Sequence, residues 1–393
     1  MARRKKKLNK GLATFLGIVF FCFGLVAGFA VKTYILPDSS YEIPGKHTTS
    51  SSIAVGDVNV ELIKDEDLSI HFVELGNKYT GDCTFIKAGD TEVLIDAGSR
   101  TSSIKPIHDY IMNYITDGEL EYVIVTHAHR DHYAGFATND SLFDSLNASG
   151  VTIGEVVTFS KTNQKETSGL YKEFIEELDE LEDENSTVIS TVLDYCSSDG
   201  TKIKIDLDTE IELEFLYHKY YEEKAPSEND YSVCCMINQG VGAGKRHYLF
   251  TGDLEEDGEA NLIEKNTLPQ VELYKAGHHG SKTSSSAEFL EVIQPKIVCV
   301  CACAGSPEYT KTKDNQFPTQ QFIDRIALYT DAVYVTTLCV DYDKAEFVSM
   351  NGNIVISASK GVSTVVSCAG SKDKLKDSEW FKQNRVCPER WAS

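Results

Sequence analysis

The stretch Thr126-His127-Ala128-His129-Arg130-Asp131-His132, at the end of the apolar segment 121–126, constrains this chain more than any other. Three of the chain's ten histidines fall within these few positions. In an extended segment alternate side chains project to one side, so His127 and His129 can share one cation. Asp131 and His132 stand where a helix would begin and can face a second cation. Neutral imidazoles plus a carboxylate suit zinc first, with manganese or iron as alternatives. A fold that accommodates the cluster must end a buried strand at an open-sided metal site.

Two later features agree. Phe250-Thr251-Gly252-Asp253 ends another apolar strand in a Gly-Asp corner, where one carboxylate can bridge two cations. Lys275-Ala276-Gly277-His278-His279-Gly280-Ser281 follows a third strand. Each is weak alone. Together with the first cluster they give His and Asp residues at strand ends, where a rigid sheet holds metal sites open on one side.

These motifs resemble the metallo-β-lactamase superfamily, whose hallmark is HxHxDH after a strand. The likeness is greatest to the hydrolase domain of ComEC-type competence proteins and to related phosphorylcholine esterases. Leu94-Ile95-Asp96-Ala97-Gly98-Ser99 resembles the family's early strand and turn. His71-Phe72-Val73-Glu74-Leu75-Gly76 with Gly81-Asp82-Cys83 resembles its opening. The resemblance covers residues 68–365 and implies a four-layer αββα sandwich of the α/β class. By the same resemblance His127 and His129 would bind one metal, and Asp131, His132 and His279 a second. Asp253 would bridge the two, and Asp96 would orient ligands. His279 is preferred to His278 as the ligand, and the leaving group would be protonated by solvent or by His278. Asn229, Ser232 and Ser281 are the expected substrate-side residues, Ser281 also serving turn geometry. Many members supply a third histidine to the first metal. Only His218 and His247 lie in the relevant interval, and neither is well placed, so a one-metal enzyme is the alternative to a two-metal one.

Charge and hydropathy divide the chain. Residues 1–10 are basic, and residues 11–31 are an uncharged, largely apolar run. That length matches the roughly 20 residues of a membrane-spanning helix. Basic flanks stay cytoplasmic, which predicts a single-pass anchor with everything after Lys32 outside the membrane. A cleavable signal peptide is the competing reading, although its apolar core is usually only about 7–15 residues. Residues 32–67, with Pro37, Pro44 and a Thr/Ser run, read as a linker, and residues 366–393 as a C-terminal extension. Seven of the 38 basic side chains lie in the first 32 residues, so the remainder carries 31 against 60 acidic ones, a net of −29. Such a surface repels polyanions and argues against tight, non-specific nucleic-acid binding.

Of eleven cysteines, Cys22 lies in the apolar run and no CxxC pair exists. Cys299, Cys301 and Cys303 alternate on one expected strand and read as small core residues rather than ligands. Cys387 is a candidate for pairing with another cysteine. Strands are expected near 68–75, 83–88, 91–96, 121–126, 211–217, 231–238, 247–251, 271–275 and 297–303. Helices are expected near 103–115, 170–181, 255–264, 287–293 and 319–328.

The expected chemistry is hydrolysis by a metal-bound hydroxide, held by Asp131 or Asp253, attacking phosphorus or a carbonyl carbon. The leading expectation is an extracytoplasmic phosphodiesterase acting on a cell-envelope polymer or nucleic acid. Hydrolysis of a lactam, lactone or thioester is a second reading, and a non-catalytic, membrane-tethered binding module a third. A transport channel does not fit a chain with one apolar span.

Overall fold

The segment Ile297–Ala304 shows how the sequence builds two cores at once. All eight residues are buried. Cys299 and Cys301 enter one apolar cluster while Val298, Val300 and Ala302 enter another. A strand covered on both faces must be apolar throughout, and here its two faces serve different layers.

The computed structural model describes residues 53–392, apart from Asn139 and Lys360. Seven strands come first in the chain. They are β1 (Ala54–Asp57), β2 (Leu68–Phe72), β3 (Thr84–Ala88), β4 (Thr91–Ile95), β5 (Glu119–Ile124), β6 (Thr152–Thr158) and β7 (Val188–Thr191). The next eight are β8 (Lys204–Asp208), β9 (Ile211–Leu216), β10 (Cys234–Gln239), β11 (Arg246–Phe250), β12 (Leu273–Lys275), β13 (Ile297–Ala304), β14 (Val333–Asp341) and β15 (Glu346–Ser349). They are followed by β16 (Ile354–Ala358) and β17 (Val365–Cys368). One sheet runs in the order β1-β17-β16-β2-β3-β4-β5-β6-β7, the other β15-β14-β13-β12-β11-β10-β9-β8.

The first core holds the facing sides of both sheets together with side chains from the helices Ile104–Ile111, Leu142–Ala148 and Gly169–Asn185. The second core packs the far side of the second sheet against the helices Glu256–Lys265, Ala287–Ile293 and Gln320–Ile326. The layering is thus helix, sheet, sheet, helix, a mixed α/β fold of the metallo-β-lactamase type.

Each sheet has a parallel block of four strands: β4, β5, β6 and β7 at one end of the first, β11, β12, β13 and β14 inside the second. Parallel neighbours deliver their C-terminal ends to one edge, and the loops that follow β4, β5, β11 and β12 carry the motifs singled out above.

Two boundaries differ from the expected ones. Residues 53–67 belong to the folded unit, since β1 pairs in parallel with β17 and the helix Val60–Lys64 follows, capped by Asn59. Its residues are mostly exposed, so β1 is held by main-chain hydrogen bonds and leaves no apolar periodicity to read. At the other end β17 runs to Cys368, and Leu375, Phe381 and Trp391 complete the second core. These three are too widely spaced to make a periodic signal. The segments at 1–10 and 11–31 and the first part of the linker lie outside the described residues. Among the described residues no helix is long and apolar enough to cross a membrane. The cysteines among them are free, including the exposed Cys387, and Cys299, Cys301 and Cys303 are buried. β1, β6, β7, β8, β14, β15, β16 and β17 arose without a sequence expectation.

His71 on β2 is fully buried, with Nδ1 2.8 Å from the Tyr110 hydroxyl and Nε2 2.8 Å from Ser69 Oγ. Burial, reinforced by the Lys87 ammonium, lowers its pKa from 6.5 to about 3. The unfolded chain therefore takes up this proton first as pH falls. The stability that neutral His71 contributes is present above pH 6.5 and is lost progressively towards pH 3. One such group tilts stability by about 1.4 kcal/mol per pH unit in that window. Urea midpoints at pH 7, 6 and 5 should fall less steeply for His71→Gln than for the parent; equal slopes would show that His71 does not stay neutral.

Candidate metal centre

Four side chains from three loops converge at the shared edge of the sheets. Asp131 and His132 start the short helix Arg130–Tyr133 after β5, Asp253 follows β11, and His279 follows β12. One ligand atom from each lies within 4.8 Å of the others, and all four residues are buried. Asp253 Oδ2 is 3.1 Å from His132 Nε2 and 3.2 Å from His279 Nε2; Asp131 Oδ2 is 3.2 Å from His279 Nε2. Both Nε2 atoms and Asp253 Oδ1 are buried without a hydrogen-bond partner. Buried polar atoms are nearly always satisfied, so this set of unpaired atoms fits a divalent cation.

The remaining ring nitrogens are occupied. His132 Nδ1 is 2.7 Å from Asp96 Oδ2, and His279 Nδ1 is 2.8 Å from the Cys301 carbonyl. Donation there leaves the Nε2 lone pairs facing inward, as outer partners of metal-binding histidines normally arrange. Asp96 also accepts from the Thr126 N–H and hydroxyl, each at 2.8 Å, which fixes the start of the histidine loop. Backbone strain collects here. Asp96, His278 and His279 take positive φ values of 62°, 47° and 55°. Such conformations are costly outside glycine and cluster at functional sites. Gly252 has φ +52°, and a Cβ there would stand 2.8 Å from Ser232 Oγ, so the corner before Asp253 admits only glycine without movement.

His127 and His129 flank this group. His127 Nε2 and His129 Nδ1 stand 3.0 Å apart, and the His127 ring lies 4.2 Å from that of His132, centroid to centroid. Among the described residues no third histidine from between this loop and Asp253 joins them. His218 Nε2 meets the Ser232 carbonyl at 3.0 Å with its ring on Tyr221, and His247 Nδ1 meets Asn238 Oδ1 at 2.6 Å. The group contains His279 and not His278. His278 is partly exposed, with Nε2 4.0 Å from Asp253 Oδ2 and Nδ1 3.4 Å from Glu255 Oε1.

The substrate-side expectations change most. Ser232 is fully buried; its Oγ accepts from the Asp253 N–H at 3.0 Å and lies 3.3 Å from His127 Nδ1. It braces ligands from behind instead of lining a pocket, because the turn Glu228–Tyr231 points it inward. Asn229 donates to Glu255 Oε1 at 3.2 Å, and its Oδ1 is buried without a partner. Ser281 accepts from the Thr283 N–H at 3.2 Å, a turn contact.

Other participants were not foreseen. Asp82 and Lys275 form a buried ion pair beside the centre, with Lys275 Nζ also donating to the Gly252 carbonyl at 3.0 Å. Asp82 Oδ1 is 3.2 Å from His279 Nδ1. The Tyr309 hydroxyl donates to Asp131 Oδ2 at 2.6 Å while 53% of the residue stays exposed. Asp82 and Lys275 stood inside quoted motifs, but nothing local marks two charges so far apart in sequence as partners. Tyr309 had no signal at all.

The electrostatics favour positive charge at the centre. Burial opposes ionisation of Asp253, Asp131 and Asp82. The surrounding cations outweigh it and hold all three below the usual carboxylate range: Lys275 first for Asp82, His132 first for Asp253, and the adjacent His279 ring first for Asp131. Burial likewise disfavours charge on His132 and His279, yet the carboxylates, Asp253 foremost, raise both well above 6.5. Such protons are what a bound cation displaces.

Residues 76–189 match the model of the metallo-beta-lactamase superfamily. The proteins this chain is similar to include competence proteins. It is 26% identical over 190 residues to ComE operon protein 3 of Bacillus subtilis, covering 47% of this chain and 20% of that protein. It is 32% identical over 109 residues to Recombination protein 2 of Haemophilus influenzae, covering 28% of this chain and 12% of that protein. It is 40% identical over 83 residues to Competence protein ComA of Neisseria gonorrhoeae, covering 19% of this chain and 11% of that protein. The chain thus spans a fifth or less of these relatives' lengths. Among solved structures, the metallo-beta-lactamase fold protein YhfI from Bacillus subtilis aligns with 69% of this chain and 96% of its own, at 11% identity and a TM-score of 0.40.

Proposed function

We propose that this superfamily hydrolase is a metal-dependent phosphodiesterase, anchored through residues 11–31 and acting outside the cytoplasmic membrane on a cell-envelope polymer or nucleic acid. The observation that carries the reading is the convergence of four buried ligand side chains, three of which, His132, Asp253 and His279, present an atom with no hydrogen-bond partner, open on the side of His278 and Tyr309. Asp131, His132, Asp253 and His279 would hold one divalent cation, and His127 with His129 a second; zinc suits the donor set best. When bound, the metal polarises the attacked group and lowers the pKa of water.

The chain's own groups supply the rest. Asp131 is held by Tyr309 and can accept a proton on its other oxygen. His278, supported by Glu255 and by Thr283 Oγ1 at 3.1 Å, can pass a proton to the departing oxygen. A phosphodiester carries a single charge and approaches an acidic surface more readily than a polyphosphate does.

Metal-loaded full-length protein should cleave bis(4-nitrophenyl) phosphate and single-stranded DNA or a polyol-phosphate polymer, and leave chromogenic lactams intact. Cleavage of lactams alone would replace this substrate class, and no cleavage by folded, metal-replete protein would favour a binding module. His278→Gln should lower turnover of esters with poor leaving groups by about 10²-fold, the usual weight of a proton donor, and barely affect 4-nitrophenyl esters. Equal losses on both would remove His278 from that role.

A further inference from the structure

A second group of carboxylates gathers at the other end of β4 and β5 from the metal centre. Glu92 lies near the start of β4, Glu121 stands next to it in β5, and Asp117 sits in the turn before β5. One oxygen from each lies within 4.8 Å of the others. The Glu92 N–H donates to Glu121 Oε2 at 2.7 Å, and Lys87 Nζ donates to Glu92 Oε1 at 2.7 Å. The remaining oxygen, Glu92 Oε2, is buried without a hydrogen-bond partner in a residue only 1% exposed. Asp117 is exposed and Glu121 half-buried, so the group opens to solvent on one side.

A buried carboxylate oxygen left bare beside two more carboxylates is costly unless a cation meets it. Lys87 offsets one of the three charges and leaves the group net negative. Burial, with Glu121 and Asp117 adding to it and Lys87 opposing, pushes the Glu92 pKa up to about 7. All three ligands are hard oxygens, which suit calcium, magnesium or manganese over zinc. Calcium accepts six to eight oxygens in flexible geometry, whereas magnesium demands a near-ideal octahedron, so an irregular set of three carboxylates open to water suits calcium better. The open side leaves room for the waters that complete a calcium shell.

We propose that Glu92, Asp117 and Glu121 bind a calcium ion that ties the start of β4 to the start of β5, remote from the hydrolytic centre. With three protein ligands and a neighbouring lysine, the affinity belongs in the range of about 10⁻⁴–10⁻³ M typical of extracellular calcium modules. The ion then braces the two strands whose far ends present Asp96 and the histidine cluster.

Thermal unfolding of the zinc-loaded full-length protein, with and without CaCl₂, tests the site. At about ten times Kd the parent's Tm should rise by about 2–5 °C, and the same concentration of MgCl₂ should give less than half of that. Asp117→Asn is exposed and keeps the acceptor for the Glu119 N–H, so it should fold normally and lose most of the shift. Glu121→Gln, which keeps the acceptor for the Glu92 N–H, should do the same. Asp253→Asn should keep the full shift, because it lies at the other centre. No calcium shift in the parent, an undiminished shift in Asp117→Asn and Glu121→Gln, an equal response to magnesium, or loss of the shift in Asp253→Asn would each overturn the proposal.

Discussion

Asp253→Asn should strip the divalent cation from the hydrolytic centre and suppress hydrolysis while leaving the chain folded. Asp253 Oδ2 stands 3.1 and 3.2 Å from two imidazole Nε2 atoms, and its Oδ1 is buried with no partner. An amide in that place brings two N–H donors into a ring of lone pairs and removes the charge that draws the cation in. Outer partners of metal ligands are worth about 10–100-fold in affinity or activity, so a residue that touches the cation should exceed 100-fold in both. Metal content after dialysis, read beside kcat/KM on a phosphodiester, measures this. Retention of stoichiometric metal by a folded Asp253→Asn protein would remove Asp253 from the ligand set. The backbone should tolerate the change, since the Asp253 N–H still donates to Ser232 Oγ.

Lys275→Met should cost about 3–5 kcal/mol of stability, the usual result of deleting one partner of a buried ion pair. Lys275 Nζ, almost wholly buried, touches Asp82, sits 3.6 Å from Asp253 Oδ1 and donates to the Gly252 carbonyl. Burial disfavours its charge, but Asp82 and then Asp253 more than compensate, and the lysine stays protonated. Removing it leaves Asp82 as an unpaired buried carboxylate. Removing both charges, as in Lys275→Met with Asp82→Leu, should recover much of the loss, because the expense lies in the orphaned charge. Urea unfolding of the parent, both single variants and the double variant closes the cycle. A single-variant cost below about 1 kcal/mol would mean that water or a neighbour already compensates Asp82.

Local pattern carried a good deal of this protein. The alternation of Cys299 and Cys301 with Val298, Val300 and Ala302 was readable because a strand's period is fixed at two. The helix Ala287–Ile293 starts at the Ser286 side chain that caps it, a signal carried within four residues. Ser232 shows the opposite case. Its place beside Asn229 suggested a pocket wall, yet the conformation of a short turn directs its hydroxyl inward to Asp253 and His127. The edge strand β1 was hidden because its stabilising contacts are main-chain hydrogen bonds, which any side chains permit.

The chemistry on offer is written in local stretches of sequence: histidines and aspartates at the ends of apolar strands, in spacings that a sheet can present on one side. The class of fold is written there too, because hydrophobic periodicity and turn residues act over a few positions. Which side chains meet depends instead on how the two sheets pack. The convergence of Asp131, His132, Asp253 and His279, the pairing of Lys275 with Asp82 and the reach of Tyr309 to Asp131 all depend on the register of parallel strands and the packing of two sheets. Those contacts join residues far apart in the chain, and no local periodicity encodes a distance of that kind.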